Sequence, residues 1–402
     1  MESLNINLVI ETNQRGTYAT TKVVFQKLRE RGHEVRLWTT FPSEFNVLPR
    51  PPSFKPFGYD VAVNLPTYAR KVLKVINPPK DSIVHSMNAM HELAYLAHGQ
   101  GVKSAIAVHY AWPICYFNAY SYNACDCTSS VLEAAKCIYS RRRGPRKAFA
   151  LGEALYWKLK RSWIRRNLMG SSAILAISKF TKELLVKAGY EEAKIRVVYI
   201  SALMPYNIEY SPYEPSDAFT FAYLSYPDEG KGIFQLIKAF ALAIKANPKL
   251  RLKIYGGLTN PDVVRLVGEL GIRDKVELTG WAPFENFVSS LEDLLRDVDV
   301  VVVPSMVFET WARVVTEAML SGRPVIVTKG NGGLVEQVED KVTGFHVNVY
   351  KVEEFARSLI EISSISREEL RNMGLRARET ALAKWNQERI VDSLEHFYKE
   401  LL

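Results

Sequence analysis

Short apolar runs alternate with helically periodic segments along the chain. Residues 4–10 and 34–39 are two such runs, and a helical pattern from about 18 to 31 lies between them. This order is typical of a βαβ unit, in which a helix connects two parallel strands. Further strands are predicted at 59–64, 82–85, 104–109, 173–177, 218–224, 250–255, 275–278, 300–303 and 324–327. The pattern therefore predicts an α/β protein built on parallel sheets.

A linker divides the predicted strands into two groups. Residues 201–217 contain three prolines and show little periodicity, as is typical of a linker. The chain has 402 residues, which is enough for two or three ordinary domains. We therefore place a domain boundary within this segment.

The clearest pattern covers residues 299–347. It opens with four consecutive valines at 300–303, typical of a strand buried on both faces of a parallel sheet. Apolar positions at three- and four-residue steps then predict a helix over 310–320. A strand over 324–327 follows, and a glycine pair at 332–333 begins another short helix.

Two carboxylates, Glu309 and Glu317, frame the predicted helix. Their eight-residue separation corresponds to roughly 12 Å along a helix, about the reach from a sugar ring across a diphosphate to a ribose. The helix N-terminus between them offers unpaired N–H groups to an anion, and the glycines at 332–333 form a second turn where the backbone can approach phosphate. Alone, the two glutamates would be interpreted as solvated. The complete order of strand, Glu, helix, Glu, Gly-Arg-Pro, strand and Gly-Gly favours a binding site.

This stretch resembles the donor-site signature of the retaining glycosyltransferases of family 4, E-x7-E followed by G-x-P-V-I, G-G and T-G. The resemblance implies that Glu309 holds sugar hydroxyls and that Glu317 holds the ribose of a nucleotide-sugar. Gly332 and Gly333 are expected to contact the donor. A further backbone contact is expected at Ala312, where the family usually has glycine. The resemblance is strong over about 218–350, moderate over 1–110 and 171–200, and absent over 110–150.

The family has the GT-B architecture, which is the fold expected for this chain. It consists of two Rossmann-like, doubly wound parallel-sheet domains that face a cleft, with a C-terminal helix that crosses back to the N-terminal domain. We therefore predict an acceptor-side domain over 1–205, a nucleotide-sugar-binding domain over 206–385, and a last helix, 386–402, packed on the first domain.

Lys231 is a further donor-site candidate. It lies in the turn D-E-G-K-G before a predicted helix over 233–246, and a lysine in such a turn suits a diphosphate. Alone it would be interpreted as solvated, but the resemblance implies that it binds donor phosphate. The arginine that the family has a few residues earlier is absent, and Tyr226 stands near its place. In the first loop of the chain only Gly16 is available for a phosphate contact.

His109 ends a predicted strand, at the edge where α/β sheets place functional groups. A lone histidine there is more often packed or hydrogen-bonded, but the resemblance implies a histidine that faces the sugar. His85, also at a strand end, is the competing candidate. The expected catalytic residues are therefore His109, Glu309 and Lys231.

Positive charge is concentrated in one segment. The net charge is +9, yet residues 136–170 contain eleven lysines and arginines and a single acid, Glu153. The segment thus carries +10 and the rest of the chain about −1. Aromatic residues crowd 110–122 just upstream. This combination predicts peripheral contact with an anionic membrane or with an acceptor phosphate, through Arg141, Arg142 and Arg143. A solvated basic surface is the competing interpretation.

A helix is predicted over 151–169, with one stripe formed by Leu151, Leu155, Leu159 and Trp163. We expect this stripe to pack on the N-terminal sheet. No run approaches the ~18 apolar residues of a membrane span, and the N-terminus has no signal-peptide pattern, so a cytoplasmic location is expected.

No metal or cofactor is expected. The family acts without a metal, and Asp297-Val-Asp299, which matches a metal-binding D-x-D, is better interpreted as a helix end entering a buried strand. The four cysteines, at 115, 125, 127 and 137, are interpreted first as free thiols, then as disulfides. Their spacing fits a zinc site poorly.

The expected function is metal-independent, retaining transfer of a hexose from a nucleotide-sugar to a hydroxyl of a lipid-linked or surface glycan. A nucleotide-sugar epimerase or phosphorylase with the same fold is an alternative. A second alternative is a non-catalytic, basic membrane-binding protein. Nothing in the sequence suggests nucleic-acid base readout.

Overall fold

The computed structural model describes residues 3–13, 15–51, 62–116, 130–142, 144–204, 207–211, 214, 216–280 and 287–402. The chain forms two compact units. One consists of Met1–Pro205 with Gln387–Leu402, and the other consists of Tyr206–Asn386.

In the first unit, helices pack on a parallel sheet. The strands with described residues are ordered β3-β2-β1-β4-β5-β6-β7, and the β1–β2, β1–β4 and β4–β5 pairs are all parallel. The elements are β1 (Asn5–Ile10), α1 (Arg15–Glu30), β2 (Glu34–Thr39), β3 (Asn46–Val47), α2 (Pro66–Ile76), β4 (Ile83–Ser86), α3 (His91–Gly99), β5 (Lys103–Val108), α4 (Val131–Arg141), α5 (Ala150–Met169), β6 (Ala173–Ala176), α6 (Lys179–Lys187) and β7 (Ile195–Val197).

The second unit repeats this plan. Its strands with described residues are ordered β10-β9-β8-β11-β12-β13, again with parallel pairing around β8 and β11. The elements are β8 (Phe219–Tyr223), α7 (Ile233–Ala246), β9 (Leu250–Ile254), α8 (Pro261–Glu269), β10 (Val276–Leu278), α9 (Phe287–Leu295), β11 (Val300–Val303), α10 (Arg313–Leu320), β12 (Val325–Thr328), α11 (Gly332–Gln337), β13 (Gly344–Val347), α12 (Val352–Ser363) and α13 (Arg367–Lys384). The predicted fold class, two Rossmann-like parallel-sheet domains, is confirmed.

The four valines of β11 are buried in the middle of the second sheet. Branched side chains at every position suit a strand covered on both faces. The core around them includes the fully buried rings of Phe221, Phe240 and Phe355. This packing fixes where β11 ends, and therefore where the loop that carries Glu309 begins.

The last helix, α14 (Gln387–Leu401), belongs to the first unit. Arg31 forms ion pairs with Glu388 at 2.7 Å and Asp392 at 2.6 Å. The hydroxyl of Tyr398, which is fully buried, lies 2.7 Å from His85 Nδ1 in β4. The helix is thus attached to the first sheet by polar contacts as well as by apolar packing.

The strand predicted at 59–64 is wrong where it can be assessed. Residues Ala62–Asn64 form a 3-10 turn, and 59–61 lie outside the described residues. The Asn64 side chain explains the turn, because its amide donates to Ala89 O at 2.7 Å and its oxygen accepts the Glu92 N–H at 3.1 Å. The segment is therefore held against the start of α3 rather than in the sheet.

The packing predicted for the α5 stripe is wrong for its three leucines, whereas its fourth member, Trp163, is half-buried and donates to Glu92 of α3 at 2.7 Å. Leu151, Leu155 and Leu159 are exposed, and the helix instead packs through another side that includes Trp157 and Ile164. The sequence of α5 has apolar residues on both sides, so periodicity did not identify the buried one. No helix in the described part of the chain has the length and hydropathy to cross a membrane.

Candidate functional site

The second unit brings Lys231 and Glu309 together beyond the carboxyl ends of β8 and β11. Lys231 Nζ lies 2.6 Å from Glu309 Oε1, and the hydroxyl of Ser305 donates to the same oxygen at 2.6 Å. The two charged side chains are about one-third and one-eighth exposed, respectively. Seventy-eight residues separate the lysine from the glutamate along the chain. The fold therefore assembles a cation, a carboxylate and a hydroxyl at a partly accessible point.

Asn331 fixes the loop that carries Glu309. Its amide donates to Ser305 O at 2.9 Å and to Val307 O at 2.8 Å, and its oxygen accepts the Glu309 N–H at 2.9 Å. The side chain is fully buried. Sequence reasoning missed both Asn331 and Ser305. The only signal available was the position of Asn331 directly before the glycine pair.

Close backbone approaches explain two of the glycines around this loop. Gly232 has φ +74°, and a Cβ on it would lie 1.9 Å from Pro304 O. A Cβ on Gly333 would lie 2.4 Å from Thr310 O, and the Gly333 N–H donates to Glu309 O at 2.7 Å. The Gly332 N–H donates to Gly330 O at 3.2 Å. These amides therefore hold the loop itself, and the donor contact expected of Gly332 and Gly333 stays a prediction.

Ala312 is the N-cap residue of α10, and Gln337 clamps its backbone. The Ala312 N–H donates to Gln337 Oε1 at 3.0 Å, while Gln337 Nε2 donates to Ala312 O at 2.9 Å and to Thr316 Oγ1 at 3.0 Å. Gln337 was also missed by sequence reasoning. Glu317 lies further along α10 and is only 4 % exposed.

Tyr226, near the place of the family's arginine, is exposed. Its carbonyl accepts the Tyr223 hydroxyl at 2.8 Å. Burial, with Asp228 and Glu309 nearby, raises the pKa of Tyr223 far above its usual range, so this hydroxyl stays a donor. The Asp228 carboxylate caps the turn by accepting the Lys231 N–H at 2.9 Å, which positions the lysine backbone.

Both carboxylates of the D-x-D are engaged by protein groups. Asp297 pairs with Lys253 at 2.7 Å. Asp299 accepts the Thr220 N–H at 2.7 Å and forms an ion pair with Arg367. Among the described residues, no group of three or more potential metal ligands occurs.

In the first unit, His109 follows β5 and is buried, with Nδ1 3.1 Å from Ser201 Oγ. Burial lowers its pKa to about 4, against an opposing hydrogen bond to the Met87 backbone. His109 is therefore a neutral imidazole at pH 7. Burial likewise lowers the pKa of His85 to about 3. Its contact with the Tyr398 hydroxyl of α14 indicates a structural role. Gly16 lies in the first turn of α1, and a Cβ on it would be 3.9 Å from the Tyr110 hydroxyl.

The predicted basic site at 141–143 divides into different environments. Arg142 Nη2 lies 2.6 Å from the buried Glu153 carboxylate, which also accepts the Tyr116 hydroxyl at 2.5 Å. Arg142 is thus a structural partner, since it neutralises a buried acid. Arg141 is half-buried at the end of α4, and Arg143 lies outside the described residues. Cys137 is disulfide-bonded, so the interpretation of the cysteines as free thiols is wrong for this residue. Cys115 is buried.

Two family models match most of the chain. Residues 20–200 match "Glycosyltransferase Family 4", and residues 211–380 match "Glycosyl transferases group 1". Curated relatives include a D-inositol 3-phosphate glycosyltransferase of Saccharomonospora viridis, 29 % identical over 47 % of this chain and 44 % of the relative. Another is the lipopolysaccharide 1,2-N-acetylglucosaminetransferase of Salmonella typhimurium, 28 % identical over 33 % of this chain and 35 % of the relative. The chain thus spans under half the length of these relatives.

Solved structures show the same fold over nearly the whole chain. A glycosyltransferase from Rickettsia africae has a TM-score of 0.69 at 17 % identity, covering 100 % of this chain and 99 % of its own. Anabaena HepE in complex with UDP has a TM-score of 0.68 at 14 % identity, covering 99 % and 100 %. These likenesses establish the GT-B architecture. The two family models show that the chain belongs to the glycosyltransferases of family 4 and group 1.

Proposed function

We propose that the protein transfers a hexose from a nucleotide-sugar to a hydroxyl of a lipid-linked or surface glycan, with retention at the anomeric carbon and without a metal. The observation that carries this proposal is the Lys231–Glu309 pair beyond the carboxyl ends of β8 and β11. In open α/β sheets that edge is where ligands bind.

The chemistry of the pair supports a donor site. A lysine ammonium has three N–H donors, so Lys231 can keep its contact with Glu309 and still donate to a diphosphate. Among the described residues, both hydrogen bonds to the Glu309 carboxylate go to Oε1, which leaves Oε2 as an acceptor for sugar hydroxyls. We propose that Glu317 accepts hydrogen bonds from the ribose.

Transfer requires stabilisation of the negative charge that develops on the departing diphosphate. We assign this role to Lys231 and to backbone N–H groups. The tyrosine at 226 supplies no positive charge, so Lys231 bears more of this task than it would beside an arginine. Glu309 acts by positioning the sugar. His109, neutral at pH 7 because burial lowers its pKa to about 4, is proposed to contact the transferred sugar by hydrogen bonding.

We propose UDP as the nucleotide of the donor, because some solved structures of similar fold contain it. Structures of Anabaena HepE contain UDP or UDP-glucose, and we extend this to the present chain only as part of the proposal. The glycan acceptor is proposed from the basic segment at 136–170 and from the lipopolysaccharide-modifying relative.

A thermal-shift panel tests the proposal. Wild-type protein is heated with UDP-, ADP-, GDP- and dTDP-sugars, since a ligand that binds only the folded state raises the unfolding temperature. We expect one nucleotide class to stabilise the protein, and Lys231→Ala to reduce that stabilisation. No shift with any of these donors would contradict the proposal. Epimerisation of the donor without an acceptor would identify the alternative isomerase.

A further inference from the structure

The outer surface of α5 carries three leucines that the protein core does not use. Leu151, Leu155 and Leu159 are 53, 52 and 73 % exposed. Their four-residue spacing places them along one side of the helix, over about 12 Å. The buried side is formed instead by residues such as Trp157 and Ile164. We call the three leucines the leucine face.

Exposed apolar side chains are concentrated on α5, on the neighbouring α4 and on the segment between them. Of the seventeen large hydrophobic residues that are exposed in the described part of the chain, six lie between 132 and 159. The other three of these six are Leu132 and Tyr139, on α4, and Phe149, directly before α5. Helices α4 and α5 pack against each other. Scattered exposed leucines need no explanation, but an apolar concentration on one pair of helices indicates a binding surface.

The charge beside the leucine face is positive. Lys158, Arg165 and Arg166 are exposed on α5, and Lys158 falls on the leucine side because it is three residues beyond Leu155. The single acid of the 136–170 segment, Glu153, is buried and paired with Arg142. Arg166 lies 3.8 Å from Glu92 of α3, so the positive charge beside the leucine face comes mainly from Lys158 and Arg165.

We propose that the leucine face and its neighbouring cations bind the surface of a bilayer that contains anionic lipid. An exposed apolar surface with neighbouring cations can lie in the interface, with its apolar side chains at the boundary of headgroups and acyl chains and its cations among the phosphates. A second copy of the same face would place cations against cations, so its charge disfavours self-association. The inference deepens the proposed function, because a lipid-linked acceptor is met at a bilayer surface. The membrane contact that the sequence predicted for Arg142 is thereby assigned to residues of α5.

Co-sedimentation of the full chain with vesicles tests this surface. Wild-type protein should sediment with vesicles of phosphatidylcholine and phosphatidylglycerol at low salt, and much less with phosphatidylcholine alone. Replacing the three leucines with serine should lower the partition coefficient by about tenfold or more, since each leucine loses apolar area that the bilayer would bury. Their exposure in the folded protein means that the variant should still fold.

A matched control changes three exposed leucines on helices of the second unit, which are 36, 37 and 45 % exposed. This variant carries Leu242→Ser, Leu375→Ser and Leu382→Ser, and it should bind vesicles as the wild type does. A separate arm of the experiment removes positive charge and leaves the apolar side chains unchanged. Lys158→Gln should weaken binding by about fivefold, and rising salt should reduce the effect.

Three results would overturn the inference. The first is equal recovery of wild-type protein in the supernatant with and without anionic vesicles at low salt. The second is equal loss of binding in the leucine-face variant and its control. The third is a wild-type dimer that does not bind vesicles and that the leucine-face substitutions dissociate, which would make this face an interface between copies. Nucleotide-sugar thermal shifts on the same preparations distinguish this failure from a failure of the proposed function.

Discussion

Replacing Asn331 with alanine tests whether the Glu309 loop is held by a single buried amide. The substitution removes three hydrogen bonds. Ser305 O keeps a bond from Thr328 at 2.8 Å, so the main cost falls on the Glu309 N–H and Val307 O. Leaving two partly buried backbone groups unpaired should lower the unfolding free energy by about 1–3 kcal/mol. We also expect turnover per folded molecule to fall by about ten- to a hundredfold, because Glu309 loses its fixed position.

Urea unfolding followed by tryptophan fluorescence measures the stability change, and donor turnover corrected for the folded fraction measures the functional change. Asn64→Ala is a matched control, since Asn64 is also a buried asparagine that bonds two backbone groups, at 2.7 and 3.1 Å. It should lose similar stability and keep its affinity for the donor. Wild-type turnover per folded Asn331→Ala molecule would refute the idea that this amide positions Glu309.

Three further predictions use other residues. Glu317→Ala should weaken nucleotide binding by about 1–3 kcal/mol in calorimetry; unchanged affinity would remove its ribose role. The pKa of His109 is lowered to about 4. Between pH 6.5 and 4 the unfolded state therefore binds more protons, and stability should fall with falling pH in this window, less steeply in His109→Gln; parallel curves in denaturant titrations would contradict this. Arg142→Ala should lower the unfolding free energy by about 3–5 kcal/mol, because it leaves Glu153 buried without its partner. Arg141→Ala should change it far less, and equal losses would refute the distinction.

Sequence reasoning identified the parallel-sheet units because their strands have a strong local signature. The four valines of β11 are apolar at every position, and α7 occupies the predicted 233–246. The contact between Lys231 and Glu309 was harder to predict from the sequence. It depends on a contact between residues 78 positions apart, and only the family resemblance placed both at one ligand.

The errors have physical causes in particular side chains. The hydrogen bonds of Asn64 hold its segment in a 3-10 turn, although the apolar residues there predicted a strand. In α5, apolar residues on two sides made the leucine row and the row containing Trp157 equally plausible as the buried side. Asn331 and Gln337 went unnoticed because a single polar residue has no periodicity, and its role appears only when its three hydrogen bonds are seen.

Calorimetry on Lys231→Ala tests the proposed donor site most directly. The ligands are a nucleoside diphosphate and its parent nucleoside, chosen from the nucleotide-sugar that gives the largest thermal shift. The control variant is Lys238→Ala, which changes an exposed lysine on α7. We expect Lys231→Ala to weaken diphosphate binding by about tenfold or more, as for a lost charged hydrogen bond, with nucleoside binding unchanged and the control like wild type. Equal diphosphate affinity in the wild type and Lys231→Ala would contradict the assignment of Lys231 to the donor phosphates.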